Sequence, residues 1–353
     1  MALRQIGFAA CALALSACGQ RSEPAAPSPE GGGLEAALNP CAGDVAGFNR
    51  TLCETESLAA LDGRIRETLV AEAASVSDEG ARLIVQNQQR WLAAQRVACG
   101  IIDPDAALTT EQTRCLESSL RARADQAGQA VQQIGGYTFQ SVEVSDAQAV
   151  TAEAAAASGL AEAAPPAIVR NIRYPRIDGA ATPQAQRFNA LVAQNPQYQL
   201  DDQTEEQVTY QIAYAGPELV SVRFDLYELT LGAAHPNTSF KAVTVDMRTG
   251  APLAAETVFQ PGSGWERYLT TRAMAALTAQ FRDDGFRPPQ SDVRDSVTKP
   301  SLWLITQDAL VLLFPPYTFG GAGALGGAEV RIPWADLRRY LNPRAPSPIR
   351  AEA

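Results

Sequence analysis

Histidine is almost absent from this chain. Of its 353 residues only one, His235, carries an imidazole. That scarcity excludes most imidazole-based metal centres, and a Ser-His-Asp triad would have to rest on this one ring. No GxSxG nucleophile elbow and no CxxC pair occur. The glycine-rich run from Gly320 to Gly327 lacks the following Lys-Ser/Thr that a phosphate-cradling P-loop needs. Neither a metal nor a cofactor is therefore expected, and no catalytic residue is assigned. His235 lies between Ala234 and Pro236, in a stretch that reads as a loop between strands, and is expected to be structural or partner-binding. Positive charge is also in deficit: 29 Lys and Arg face 39 Asp and Glu, for a net charge of −10. Nucleic acid and anionic lipid surfaces are poor partners for such a chain. Asp283-Asp284 and Glu205-Glu206 are expected to be solvated charges. Beyond the first residues, no apolar run reaches the roughly 18 residues that a spanning helix requires.

What is present begins at the amino end. Met1 to Arg4 is a short basic start, Ile6 to Leu15 is apolar, and Leu15-Ser16-Ala17-Cys18 follows. A basic start before an apolar stretch of this length is a secretory signal. Its ending resembles the lipobox of bacterial lipoproteins. The resemblance implies that residues 1–17 are a signal peptide and that Cys18 is acylated, anchoring the chain at about 0.8 kcal/mol per buried methylene. Gly19, where an Asp would resemble an inner-membrane retention signal, points to the outer membrane on its periplasmic side. Residues 18–40, with Pro24, Pro27, Pro29 and Gly31-Gly32-Gly33, read as a flexible tether.

Six cysteines occur. Cys11 falls within the signal and Cys18 takes the lipid, which leaves Cys41, Cys53, Cys99 and Cys115. Four thiols in an exported domain read as two disulfides. They sit in a helical domain expected over residues 41–134. Leu58, Leu61, Ile65 and Leu69 form one stripe on a helix from about Arg50 to Ala74. A second helix is predicted from about Gly80 to Ala98, with Ile84, Gln88, Trp91 and Gln95 on one face. A third is predicted from about Thr110 to Ile134, with a loose capping box at Thr109-Thr110-Glu111-Gln112. The short turn between the first two makes them antiparallel, so all four thiols can gather at one pole of the bundle. Three pairings remain open.

Residues 135–167, opening on Gly135-Gly136 and then rich in Ala and Glu, read as an interdomain linker. From Ile168 the periodicity changes to two. Val208-Tyr210-Ile212-Tyr214, Val220-Val222-Phe224-Leu226 and Phe240 to Val245 alternate as strands. Trp265 to Phe281 reads as a helix. Leu302 to Ile305, Ala309 to Phe314 and Glu329 to Ile332 read as strands, with a last helix opening at Pro333-Trp334. The fold class expected is α+β: a small disulfide-linked helical domain, then an α+β domain with an antiparallel sheet over 168–342, and a tail over 343–353.

Two resemblances follow. Phe48-Asn49-Arg50-Thr51-Leu52-Cys53, Leu61-Asp62, Gln88-Gln89-Arg90-Trp91 and Arg96, with Cys41, Cys99 and Cys115 in order, make most of 41–134 similar to the LprI-type lysozyme-inhibitor domain. One departure is Val97-Ala98 before the third cysteine, where that family often has an Arg-Asp or Arg-Asn. Tyr174-Pro175-Arg176-Ile177, Phe188-Asn189, Gly232 to Asn237, Val245-Asp246, Thr249-Gly250 and Phe314-Pro315-Pro316-Tyr317 make about 168–342 similar to the RsiV-type extracytoplasmic domain. That domain occurs in a lysozyme-sensing anti-sigma factor and beside a deacetylase. The anti-sigma segment and the deacetylase domain do not appear here.

Together the resemblances imply a non-enzymatic envelope lipoprotein that binds a lysozyme-type muramidase. The alternative is a structural lipoprotein that binds peptidoglycan or assists envelope assembly. Lysozymes cut with two carboxylates in a cleft, so an inhibitor needs a protruding loop carrying a donor or a cation. His235, Asn237 and Lys241 suit that role by residue type. Asp62 is expected to pair with Arg90 or Arg96 across the helices, and Asp62 and Arg96 are the other candidate contacts.

Overall fold

The structure is a computed structural model that describes residues 33–42, 47–194, 203–320 and 326–350. Cys18 and the expected signal peptide, with most of the tether, lie outside the described residues. The helical part comprises α1 (Gly33–Leu38), α2 (Gly47–Glu54), α3 (Glu56–Ala73), α4 (Asp78–Ala98) and α5 (Thr110–Ala127). It is followed by β1 (Val131–Ile134), β2 (Tyr137–Ala149), α6 (Ala152–Ala157), β3 (Ala167–Ile177), α7 (Pro183–Gln194), β4 (Thr204–Gly216), β5 (Leu219–Thr230), β6 (Asn237–Asp246) and β7 (Ala251–Pro252). The last third holds α8 (Ala255–Val258), α9 (Trp265–Gln280), α10 (Gln290–Val297), β8 (Trp303–Ile305), β9 (Ala309–Phe314), β10 (Ala328–Pro333) and α11 (Trp334–Leu337).

The expected first helix is two helices. Thr55 breaks it with an extended backbone between α2 and α3. Beyond the break, the expected stripe is buried as written, with Leu58, Ile65 and Leu69 at most 1 % exposed. Ser77 caps α4 by accepting from the Gly80 amide at 3.1 Å. On α5 the cap is Thr109, and Gln112 completes the box by accepting from the Thr109 amide at 3.0 Å. The disulfides join Cys41 to Cys53 and Cys99 to Cys115. Both are local: the first secures α2, and the second ties the end of α4 to the start of α5. The bundle is not a free three-helix unit. α3 packs mainly on α5, while α4 lies along β2.

The third helix stops at Ala127, short of the expected Ile134. Val131 to Ile134 instead turns back through Gly135-Gly136, both at positive φ, to pair with Tyr137 to Gln140. Two glycines in a two-residue hairpin supply the backbone twist that joins antiparallel strands. A Cβ on Gly135 would also lie 2.1 Å from the Ala215 carbonyl oxygen. Residues 135–167 are therefore not a linker. They contain the 13-residue β2, which pairs with β3 along its length from Phe139↔Ile177 to Ala149↔Ala167.

Among the described residues the main sheet has seven strands, in the order β1-β2-β3-β4-β5-β6-β7. All neighbours are antiparallel except β3 and β4, which run parallel, with α7 as the crossover between them. Phe188 and Val192 of α7 are fully buried against Phe139, Val222 and Phe224. A smaller antiparallel sheet, β10-β9-β8, carries the largest core: Trp303 and Trp334 pack with Leu269, Ala273 and Leu277 of α9 and Val293 of α10. The expected α+β class holds. The two sheets meet through Leu304, Val311 and Leu313 against Ala242. A buried hydroxyl pair, Ser221 and Thr244 at 2.8 Å, joins them, with Ser221 accepting from the Ile305 amide at 3.1 Å. The expected tail is part of this core: Ala345 and Ile349 are fully buried, and Glu218 accepts from the Ser347 amide and pairs with Arg350. Glu206, expected to be solvated, is 2 % exposed on β4, whereas Asp283 and Asp284 are exposed.

Candidate functional site

The helical layer is fastened to the sheet by polar side chains. Beyond β1, the backbone of β2 would be a bare edge. Asn87 of α4 closes it: its amide donates to the Ser141 carbonyl at 2.9 Å and accepts from the Glu143 amide at 3.2 Å. Gln140 reaches the Gly80 carbonyl at 2.6 Å. Gly80 must stay small, since a Cβ there would lie 2.7 Å from an Asp178 carboxylate oxygen. That carboxylate accepts from the Ser77 amide and hydroxyl at 2.6 and 2.7 Å. Arg123, 5 % exposed, pairs with Glu143 at 2.7 Å, donates to Gln88 at 3.0 Å and lies over the Trp91 ring. None of the contacts between the helices and the sheet was read from sequence. The signal for Arg123 was its place in the stripe Leu116, Leu120, Arg123, Ala127, where a charge is expected only if paired.

A cleft of about 730 Å³ opens on this helical layer. Asp62 of α3, Gln88 and Arg96 of α4, Phe48 and Asn49 of α2, and Asp105 help line it. Asp62 is 1 % exposed, and its partner is Arg66, one turn along the same helix at 2.9 Å. The expected pair with Arg90 or Arg96 does not form. Arg96 instead donates to the carbonyls of Ile101 and Ile102, at 2.7 and 3.1 Å, and secures the turn after α4. The reason is spacing: an (i, i+4) partner meets Asp62 on its own helix. Burial raises the Asp62 carboxyl pKa above its ordinary range, with Arg66 acting against the rise. Gln88 spends its carbonyl oxygen on Arg123, and its amide nitrogen is buried without a partner among the described residues. The cleft is thus lined by a buried carboxyl, a buried amide and a guanidinium engaged with two carbonyls.

His235, Asn237 and Lys241 are not among the residues lining this cleft. His235 is exposed in the β5–β6 turn, its Nδ1 3.2 Å from the Pro236 carbonyl oxygen. Asn237 opens β6 opposite Glu228, and Lys241 lies opposite Phe224, half-buried, with its pKa lowered by desolvation. The turn is propped by Gly232, where a Cβ would lie 2.5 Å from the Ser158 carbonyl oxygen. The structure therefore separates the sequence candidates into two places: Asp62 with Arg96 on the cleft, and the other three on one hairpin. Tyr317, exposed and held at φ +66°, marks the loop after β9.

Residues 256–335 match the family described as a protein of unknown function (DUF3298). Two solved structures of that family resemble this chain. One is from Bacteroides fragilis NCTC 9343, at 15 % identity and a TM-score of 0.39, over 63 % of this chain and 98 % of that one. The other is from Pseudomonas aeruginosa PAO1, at 14 % identity and 0.42, over 60 % and 97 %. No curated protein matches the chain. The carboxyl-terminal part thus contains a DUF3298 domain.

Proposed function

We propose that this chain is an envelope lipoprotein, anchored through Cys18, that acts by binding and inhibits a lysozyme-type muramidase. The observation that carries the reading is the convergence of Asp62, Gln88 and Arg96 on one cleft. These residues belong to the pattern that resembles an LprI-type lysozyme-inhibitor domain, and two of them are buried polar groups rather than solvated ones. The DUF3298 match overlaps the part that resembles the RsiV-type domain. On this reading the helical cleft and the β5–β6 hairpin are the two contact surfaces.

The test is lysis of a cell-wall suspension by lysozyme with and without the purified ectodomain. Slowed lysis, relieved in Asp62→Ala or Arg96→Ala, is the expected outcome. Undiminished lysis together with no binding at micromolar concentration overturns the reading, and retention on insoluble sacculi would replace it with peptidoglycan binding.

A further inference from the structure

A second cleft, of about 500 Å³, lies at the start of α9, far along the chain from the residues used above. Ser263, Arg267, Tyr268, Thr271, Arg339 and Tyr340 line it, and among the described residues no carboxylate does. In a chain of net charge −10, that is a local reversal. Arg339 is held in place: its guanidinium lies 4.7 Å from the centre of the Tyr340 ring and 5.9 Å from that of Tyr268, and it donates to the Tyr340 hydroxyl. Stacking of this kind fixes the planar fork before any ligand arrives. Arg267 has no ion-pair partner among the described residues. Glu266, beside it in the first turn of the helix, does not line the cleft.

Two further groups wait for an acceptor. Tyr340 is only 7 % exposed; its hydroxyl oxygen accepts from Arg339, which leaves its own proton with no acceptor among the described residues. The Ser263 hydroxyl is buried without a partner among the described residues. Gly264 at the N-cap provides no side chain to satisfy the first amides of the 16-residue α9. A carboxylate has only two oxygens in one plane, so two guanidinium groups, a phenol and a hydroxyl would crowd its roughly four lone-pair sites, whereas a phosphate spreads three or four oxygens tetrahedrally among them.

We infer that this cleft binds a phosphate group, free or as a monoester on a small soluble ligand, through Arg267, Arg339 and Tyr340. The volume leaves room for the group that carries the phosphate, against the ring of Tyr268. The inference is independent of the muramidase reading, since it uses neither the helical cleft nor the β5–β6 hairpin.

The test is calorimetric titration of the full chain, in detergent, with inorganic phosphate and with glycerol 1-phosphate. Saturable binding of both is expected. Arg267→Gln should weaken it at least tenfold, about 1.4 kcal/mol, without moving the melting temperature, because that guanidinium has no ion-pair partner among the described residues to lose. Flotation should show equal retention on phosphatidylglycerol and phosphatidylcholine vesicles. Absence of a saturable phosphate signal, or unchanged affinity in Arg267→Gln, overturns the inference. So does Arg267-dependent retention on phosphatidylglycerol vesicles without phosphate binding.

Discussion

Arg123 of α5 and Glu143 of β2 form an ion pair at 2.7 Å, with both side chains at most 6 % exposed, at the junction of the helical layer and the sheet. Charges this deep are stable only as a pair. Arg123→Met should therefore destabilise the fold by about 3–5 kcal/mol, because it strands a buried carboxylate, and Arg123→Met with Glu143→Leu should recover most of the loss. Urea unfolding of the two variants measures the difference. Equal stabilities would show that the pair does not join the layers.

Asn87 acts on the same junction by a different route. Its two hydrogen bonds take the place of a neighbouring strand's peptide group on β2. Asn87→Leu keeps the volume but leaves the Ser141 carbonyl and the Glu143 amide unpaired, so a loss of about 1–3 kcal/mol is expected. Hydrogen exchange at the Glu143 amide should accelerate in that variant.

The Cys99–Cys115 bridge closes a short loop between α4 and α5. Cys99→Ser should lower stability by about 2–4 kcal/mol in oxidising buffer. The same variant should unfold no earlier than wild type once reductant is added to both, and thermal melts under the two conditions make the comparison.

Asp62 sets a pH dependence. Burial raises its pKa in the folded state, so the folded chain holds this proton more tightly than the unfolded one. Its contribution to stability is full below the ordinary carboxyl range, about 4, and is lost as pH rises through the raised value. Asp62→Asn, which keeps an acceptor for Arg66, should flatten the stability curve over that window. Denaturant midpoints from pH 3 to 7 in wild type and variant, compared point by point, would reveal an unchanged slope if the carboxyl is not the source.

What the amino-acid order determined by itself is local. The stripe from Leu58 to Leu69, the alternation from Val208 to Leu226 and the start of α9 at Trp265 were legible because period and side-chain size are written residue by residue. The presence of two disulfides followed from four cysteines, but their pairing did not, since it depends on which helix ends meet. Tertiary structure decided the rest. β2 was invisible because Gln140, Ser141 and Glu143, polar in sequence, are buried only where α4 and α5 supply Asn87, Gly80 and Arg123 as partners. Ala345 and Ile349 looked like a tail until the core above the small sheet enclosed them. The ion-pair partner of Asp62 was not legible, because a residue one turn away reached it before the facing helix could. The single imidazole settled little: His235 lies exposed on its turn, and polar groups from distant segments, none of them histidine, hold the molecule's two layers together.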